Sequence, residues 1–193
     1  MNKNRTEAFT DAIIAIVMTI LVLEFPSIHG EQFADLLALK DVFLAYVVSF
    51  VFLIIYWSNH HHIFQLIDLV NGKTLWLNNV FIFLLTLVPF TTNWLGDHIW
   101  ARDPELLYAT LFLVVNVVWV LLIKNLVKAN SHNPHVATIL GDYKKSYQTL
   151  GLNVLALIIA IVLPIGGLVV NVMSFLLWVV PDKRIEKIKR QSK

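Results

Sequence analysis

Residues 12–25 are apolar at every position except Thr19 and Glu24, and similar runs recur to position 180. A helix crosses a hydrocarbon core of about 30 Å in roughly 20 residues. In lipid each backbone N–H and C=O must be satisfied within the span itself, so such runs are helices. Six are read here: 6–24, 41–64, 74–95, 106–127, 147–163 and 168–180. Pro26 and Gly30 mark the first loop, 27–40. Asn71-Gly72 marks a short link, Pro104 a charged loop at 96–105, and Pro134 and Gly141 a polar stretch at 128–146. Pro164, Gly166 and Gly167 are read as a tight turn, leaving a short last span. With 58% hydrophobic and 15% charged residues and a mean hydropathy of +0.70, the chain is expected to be an all-α, polytopic membrane domain. A basic tail follows at 181–193.

Charge sets the orientation. Six spans put both ends on one side, with Lys3, Arg5, Lys73, Lys124, Lys128, Lys144, Lys145 and all six tail lysines and arginines; the other side has only Lys40 and Arg102. The excess places both termini in the cytoplasm. The tail reads as a positive-inside anchor or as a contact for anionic membrane lipid. A net charge of +2 does not point to nucleic acid. The absence of cysteine excludes disulfides and thiolate metal sites. The start imitates a secretory signal, but Asp11 interrupts the would-be apolar region and no small-residue cleavage site follows.

Asp11 is the costly residue of the first span. A charge at a helix centre costs roughly 2.5–3.5 kcal/mol, and less near the end, so Asp11 needs a partner or water. Phe9, Ala12, Ile16, Thr19, Ile20 and Leu23 share one stripe at helical spacing, with Asp11 on the far side from Ile16. That stripe faces lipid, or it lines a pore while its back is fixed to the bundle. The second span ends in Trp57 and three consecutive histidines, His60, His61 and His62. On a helix these point about 100° apart and cannot chelate one ion together, so no metal site is expected. Asn78 and Asn79 open the third span at the depth of Asp11. A carboxylate, an imidazole, an indole and a carboxamide at one depth can satisfy one another as a structural clasp.

These residues resemble a known family. Arg5-x-x-x-Phe9-Thr10-Asp11 is similar to the RxxxFSD signature that opens the first helix of transmembrane protein 175, an endolysosomal potassium channel, and its prokaryotic relatives. Trp57-x-x-His60, Asn78 and Pro89-Phe90 extend the match through the third span; Thr10 keeps the hydroxyl of the usual serine. The resemblance implies a potassium-selective cation channel of a prokaryotic plasma membrane, needing no cofactor. One signature and no second copy imply a homotetramer with the first helix lining a central pore. It further implies a constriction at Ile16, Ile20 and Leu23, a hydroxyl at Thr19, and a packing network of Arg5, Phe9, Thr10, Asp11, Trp57, His60 and Asn78 behind the pore helix.

No TVGYG-type filter is present in the sequence. A proton pathway through Asp11 and His60 stays open as an alternative. So do a secondary transporter, against which stand the lack of an inverted repeat and of a broken helix before the fifth span, and a non-conducting scaffold. No nucleophile–base spacing suggests an enzyme.

Overall fold

The computed structural model describes residues 3–28 and 30–179; the tail at 181–193 lies outside the described residues. Eight α-helices and no strand occur among the described residues: α1 Lys3–Leu23, α2 Lys40–Leu66, α3 Gly72–Thr86, α4 Val88–Asp97, α5 Arg102–Ala129, α6 Pro134–Leu140, α7 Lys144–Ala160 and α8 Pro164–Val179. Among the described residues, four stretches are long and apolar enough to cross a membrane: α1, α2 with the 3-10 helix Phe33–Leu39 before it, α3 with α4, and α5. At about 1.5 Å per residue, the 17 residues of α7 and 16 of α8 fall short of a ~30 Å core. The chain is thus an all-helical, multi-pass membrane protein.

α5 is the central element, packed by α3, α4, α7 and α8. Around it Phe52, Tyr56, Phe81, Phe112, Trp119 and Phe175 form one aromatic cluster; Phe52 and Phe175 have ring centroids 4.5 Å apart. Lipid tails are as apolar as these side chains, so close packing rather than water exclusion holds the helices together.

Three local expectations differ from the structure. The third span breaks at Leu87. Pro89 has no N–H for the Leu85 carbonyl and its ring crowds that carbonyl, so α3 ends and α4 restarts. Asn71-Gly72, expected to lie within the short link, starts the helix instead. Asn71 caps α3, its Oδ1 accepting from the Thr74 N–H at 2.8 Å. Pro164, Gly166 and Gly167 are the first turn of α8, where proline needs no partner for a missing N–H. A Cβ on Gly167 would lie 2.7 Å from the Ala160 Cβ and 2.9 Å from the Ala156 carbonyl, so glycine lets α8 lie directly on α7.

The α2–α3 link is fixed from α5. Asn130 accepts from the N–H groups of Asp68 and Leu69 at 2.9 and 2.8 Å and donates to the Leu69 carbonyl at 3.0 Å. This holds the end of α2 beside the start of α3, and both beside the start of α1, where Lys3 donates to the Ile67 carbonyl at 2.7 Å.

Candidate functional site

α1 has two unlike faces. Thr6, Thr10, Ile14, Val17 and Leu21, spaced by three or four residues, are buried against α2, α3 and α4. Phe9, Ala12, Ile16, Thr19, Ile20 and Leu23 are left uncovered by the chain; Ile16 is 54% and Leu23 78% exposed. The Thr19 hydroxyl donates to the Ile16 carbonyl at 2.7 Å, which turns its oxygen to the same open face. At the other end of α1, Asn93 of α4 donates to the Glu24 carbonyl at 2.9 Å and to its carboxylate at 3.2 Å.

Behind α1 lies a buried polar relay. The Asn78 amide donates to the Thr10 hydroxyl at 2.8 Å, and its carbonyl oxygen meets His60 Nε2 at 2.9 Å. Thr10 in turn donates to the Thr6 carbonyl at 3.0 Å. One residue each from α1, α2 and α3 is therefore tied at one depth, and all three are fully buried. His60 stacks on Phe64 with centroids 4.1 Å apart, which fixes its ring plane.

The remaining signature residues are placed elsewhere. Arg5 and Phe9 lie on the exposed side of α1, and Trp57 is half-exposed, stacked 6.0 Å from His61. Asp11 belongs to a second group with Glu7 and His61, whose ligand-type atoms all lie within 4.8 Å of one another. His61 Nδ1 is 2.7 Å from Glu7 Oε1. No hydrogen bond among the described residues joins Asp11 to His60, and one Asp11 oxygen, Oδ1, is buried without a partner. The three histidines diverge as the helix demands: His60 to Asn78, His61 to Glu7, and His62 to the Ser58 carbonyl at 2.6 Å.

A further buried polar chain gave little sequence signal. Tyr56 donates to Asn116, which donates to Asn153 at 2.6 Å; Asn153 donates to Asn171 at 3.1 Å, and Asn171 to Glu105 at 3.4 Å. It joins α2, α5, α7 and α8. Its trace in the sequence is Asn116, Asn153 and Asn171, each set within an apolar run.

The model of the family described as the endosomal/lysosomal potassium channel TMEM175 matches residues 5–89. A potassium channel of Chryseobacterium sp. (strain P1-3) is 33% identical over 192 residues, covering 100% of both chains. The chain belongs to the TMEM175 family. A potassium channel of Chamaesiphon minutus is 34% identical over 124 residues, 60% of this chain and 61% of that one. Among solved structures, the crystal structure of a lysosomal potassium-selective channel TMEM175 homologue from Chamaesiphon minutus superposes with a TM-score of 0.77 at 29% identity, covering 91% of this chain and 95% of that one. A variant of the potassium channel MtTMEM175, bound to a nanobody fusion protein, shares the fold at a TM-score of 0.63 and 19% identity, covering 97% and 92%. These relatives are channels, not enzymes.

Proposed function

We propose that this chain is a potassium-selective channel, assembled as a homotetramer in which α1 of each copy lines the central pore. The observation that carries the reading is the match over its whole length to a bacterial potassium channel. The open stripe of α1 is available for that role, because the single chain leaves that face uncovered while anchoring the opposite one. In this assembly each subunit crosses the plasma membrane of a prokaryote six times, with both termini cytoplasmic as the lysine and arginine distribution favours.

The mechanism follows from the side chains on the stripe. Four Ile16 side chains around one axis, followed by Ile20 and Leu23, make a ring that dewets and stops ions. Potassium holds its water less tightly than sodium and loses less in crossing the ring. Thr19 has used its proton on the Ile16 carbonyl, so its oxygen keeps lone pairs for a cation. Four such oxygens offset part of the dehydration. Selectivity of this kind is modest, because it uses few ligands. Arg5, Phe9, Asp11 and Trp57 complete the packing around the relay of Thr10, Asn78 and His60 in the assembly.

Proteoliposomes loaded with potassium or sodium test the reading, with a protonophore to carry the compensating charge. Faster potassium exit is the expected result. Ile16→Asn should raise the flux about tenfold or more by wetting the ring, and Thr19→Val should narrow the difference between potassium and sodium. Equal flux of both ions from wild-type protein removes the selectivity. Flux of protons alone, from folded tetramer, replaces the reading with a proton path.

A further inference from the structure

Glu105, in the first turn of α5, is fully buried. Its Oε1 accepts one hydrogen bond, from the Asn171 amide at 3.4 Å, and its Oε2 has no partner. Among the described residues no lysine, arginine or histidine forms an ion pair with it. The groups that face it are uncharged. α8 supplies Asn171, and Asn153 of α7 stands behind that. Tyr108 lies one turn along α5; its hydroxyl is shared with Ser49 on α2, which meets Thr92 on α4 at 2.7 Å. A buried carboxylate held by one neutral donor is costly, and uptake of a proton removes the charge. A surface hollow of about 420 Å3, lined by Trp94, His98, Arg102, Asp103 and Pro104, brings water to the residue before Glu105. Arg102 and Asp103 pair with each other there.

The chain behind Glu105 has a direction. Tyr56 donates to Asn116, Asn116 to Asn153, Asn153 to Asn171 and Asn171 to Glu105, so every donor points towards the carboxylate. An asparagine amide rotated by half a turn exchanges its donor and its acceptor, so a row of three asparagines also fits in reverse. In reverse the protonated Glu105 donates to Asn171, each amide donates towards α2, and the Tyr56 oxygen accepts from Asn116. The Tyr56 hydroxyl proton then needs a new acceptor. A cavity of about 10 Å3, lined by Tyr56, Asn59, Asn116 and Thr149 among others, has room for one water beside it.

We propose that Glu105, Asn171, Asn153, Asn116 and Tyr56 form a proton-sensitive switch, in which a proton taken up by Glu105 reverses the whole chain and its release restores it. The one covalent change is the O–H bond formed on Glu105, with its proton drawn from the water of the hollow. Each amide and the tyrosine keep their own hydrogens, so the chain carries an orientation and no proton along it. Mixed orientations set donor against donor or acceptor against acceptor in a dry interior, which makes the reversal cooperative. The far end of the chain packs against Phe81 and Trp119, the rings that also flank His60 one turn along α2. The state of Glu105 is thus felt beside the relay that holds α1.

Infrared difference spectra of the purified protein in liposomes, recorded on acidification, test the switch without any flux measurement, so its failure and that of the channel reading are separate. The wild type should gain the C=O band of a protonated buried carboxyl together with a shifted tyrosine band. Glu105→Gln should lose both. Tyr56→Phe should lose the tyrosine response, and Tyr108→Phe should keep it. Asn153→Leu cuts the chain in the middle, so the carboxyl band stays and the tyrosine response is lost. Should the variants fail to fold, the wild type alone must show the two bands changing over one pH range. A tyrosine response that survives Glu105→Gln belongs to His60 and overturns the proposal. One that disappears with Tyr108→Phe instead of Tyr56→Phe is the field of the carboxyl on its neighbour, and one that survives Asn153→Leu bypasses the chain; either overturns it. So does wild type in which the bands change over different pH ranges, or in which neither changes.

Discussion

Asn78 uses both ends of its carboxamide inside the bundle, donating to Thr10 and meeting His60 with its oxygen. Asn78→Ala strands a hydroxyl and a ring nitrogen with no water to replace the partner. The expected loss is ~1–3 kcal/mol, read as a lower midpoint of thermal unfolding in detergent. Asn79→Ala, on the exposed side of α3, should change it by no more than ~0.5 kcal/mol. His60 and Asn78 are legible in the sequence as polar groups at one depth, but the sequence points to the Asp11 carboxylate as their partner, and Thr10 enters only through the resemblance; in the structure the Thr10 hydroxyl takes that place. The group of Glu7 with His61 is not legible. Which histidine faces α1 depends on the rotation of α2 about its axis. A helix apolar on nearly every side, with three histidines in a row, gives no clue to that rotation.

Helix existence is written in long apolar runs, and α1, α2 and α5 were readable for that reason. Breaks and junctions depend on single residues whose effect is set by what lies next to them. Pro89 interrupts a run that hydropathy treats as continuous, and Gly167 resembles a turn residue until Ala160 is placed against it. The α7–α8 contact therefore gives a prediction of opposite signs. Gly167→Leu pushes α8 off α7 and should destabilise the protein by ~1–3 kcal/mol or more. Gly151, on α7, has nothing within 4 Å of an added Cβ. Gly151→Ala removes only backbone freedom and should stabilise by ~0.5–1 kcal/mol. Paired unfolding curves in one detergent measure both, and equal shifts would refute the close approach of α8 to α7.

For the whole molecule the question is what covers the open face of α1. Lipid and a fourfold axis both suit isoleucine and leucine, so exposure in one chain does not choose between them. The chain has no cysteine, which makes a single introduced thiol a clean reporter. Around a central axis the four copies of position 16 converge on one constriction. Ile16→Cys should then yield disulfide-linked dimers on mild oxidation in membranes, since a disulfide needs Cβ atoms about 3.5–4.5 Å apart. Ile158 on α7 is equally bare, at 58% exposed, but lies away from α1. Ile158→Cys should stay monomeric on a non-reducing gel. A water-soluble thiol reagent should also block flux through Ile16→Cys and leave Ile158→Cys untouched. Dimers from position 158 but none from 16, in protein that runs as a tetramer of the 22.1 kDa chain, would put α1 on the lipid side and move the pore to another helix.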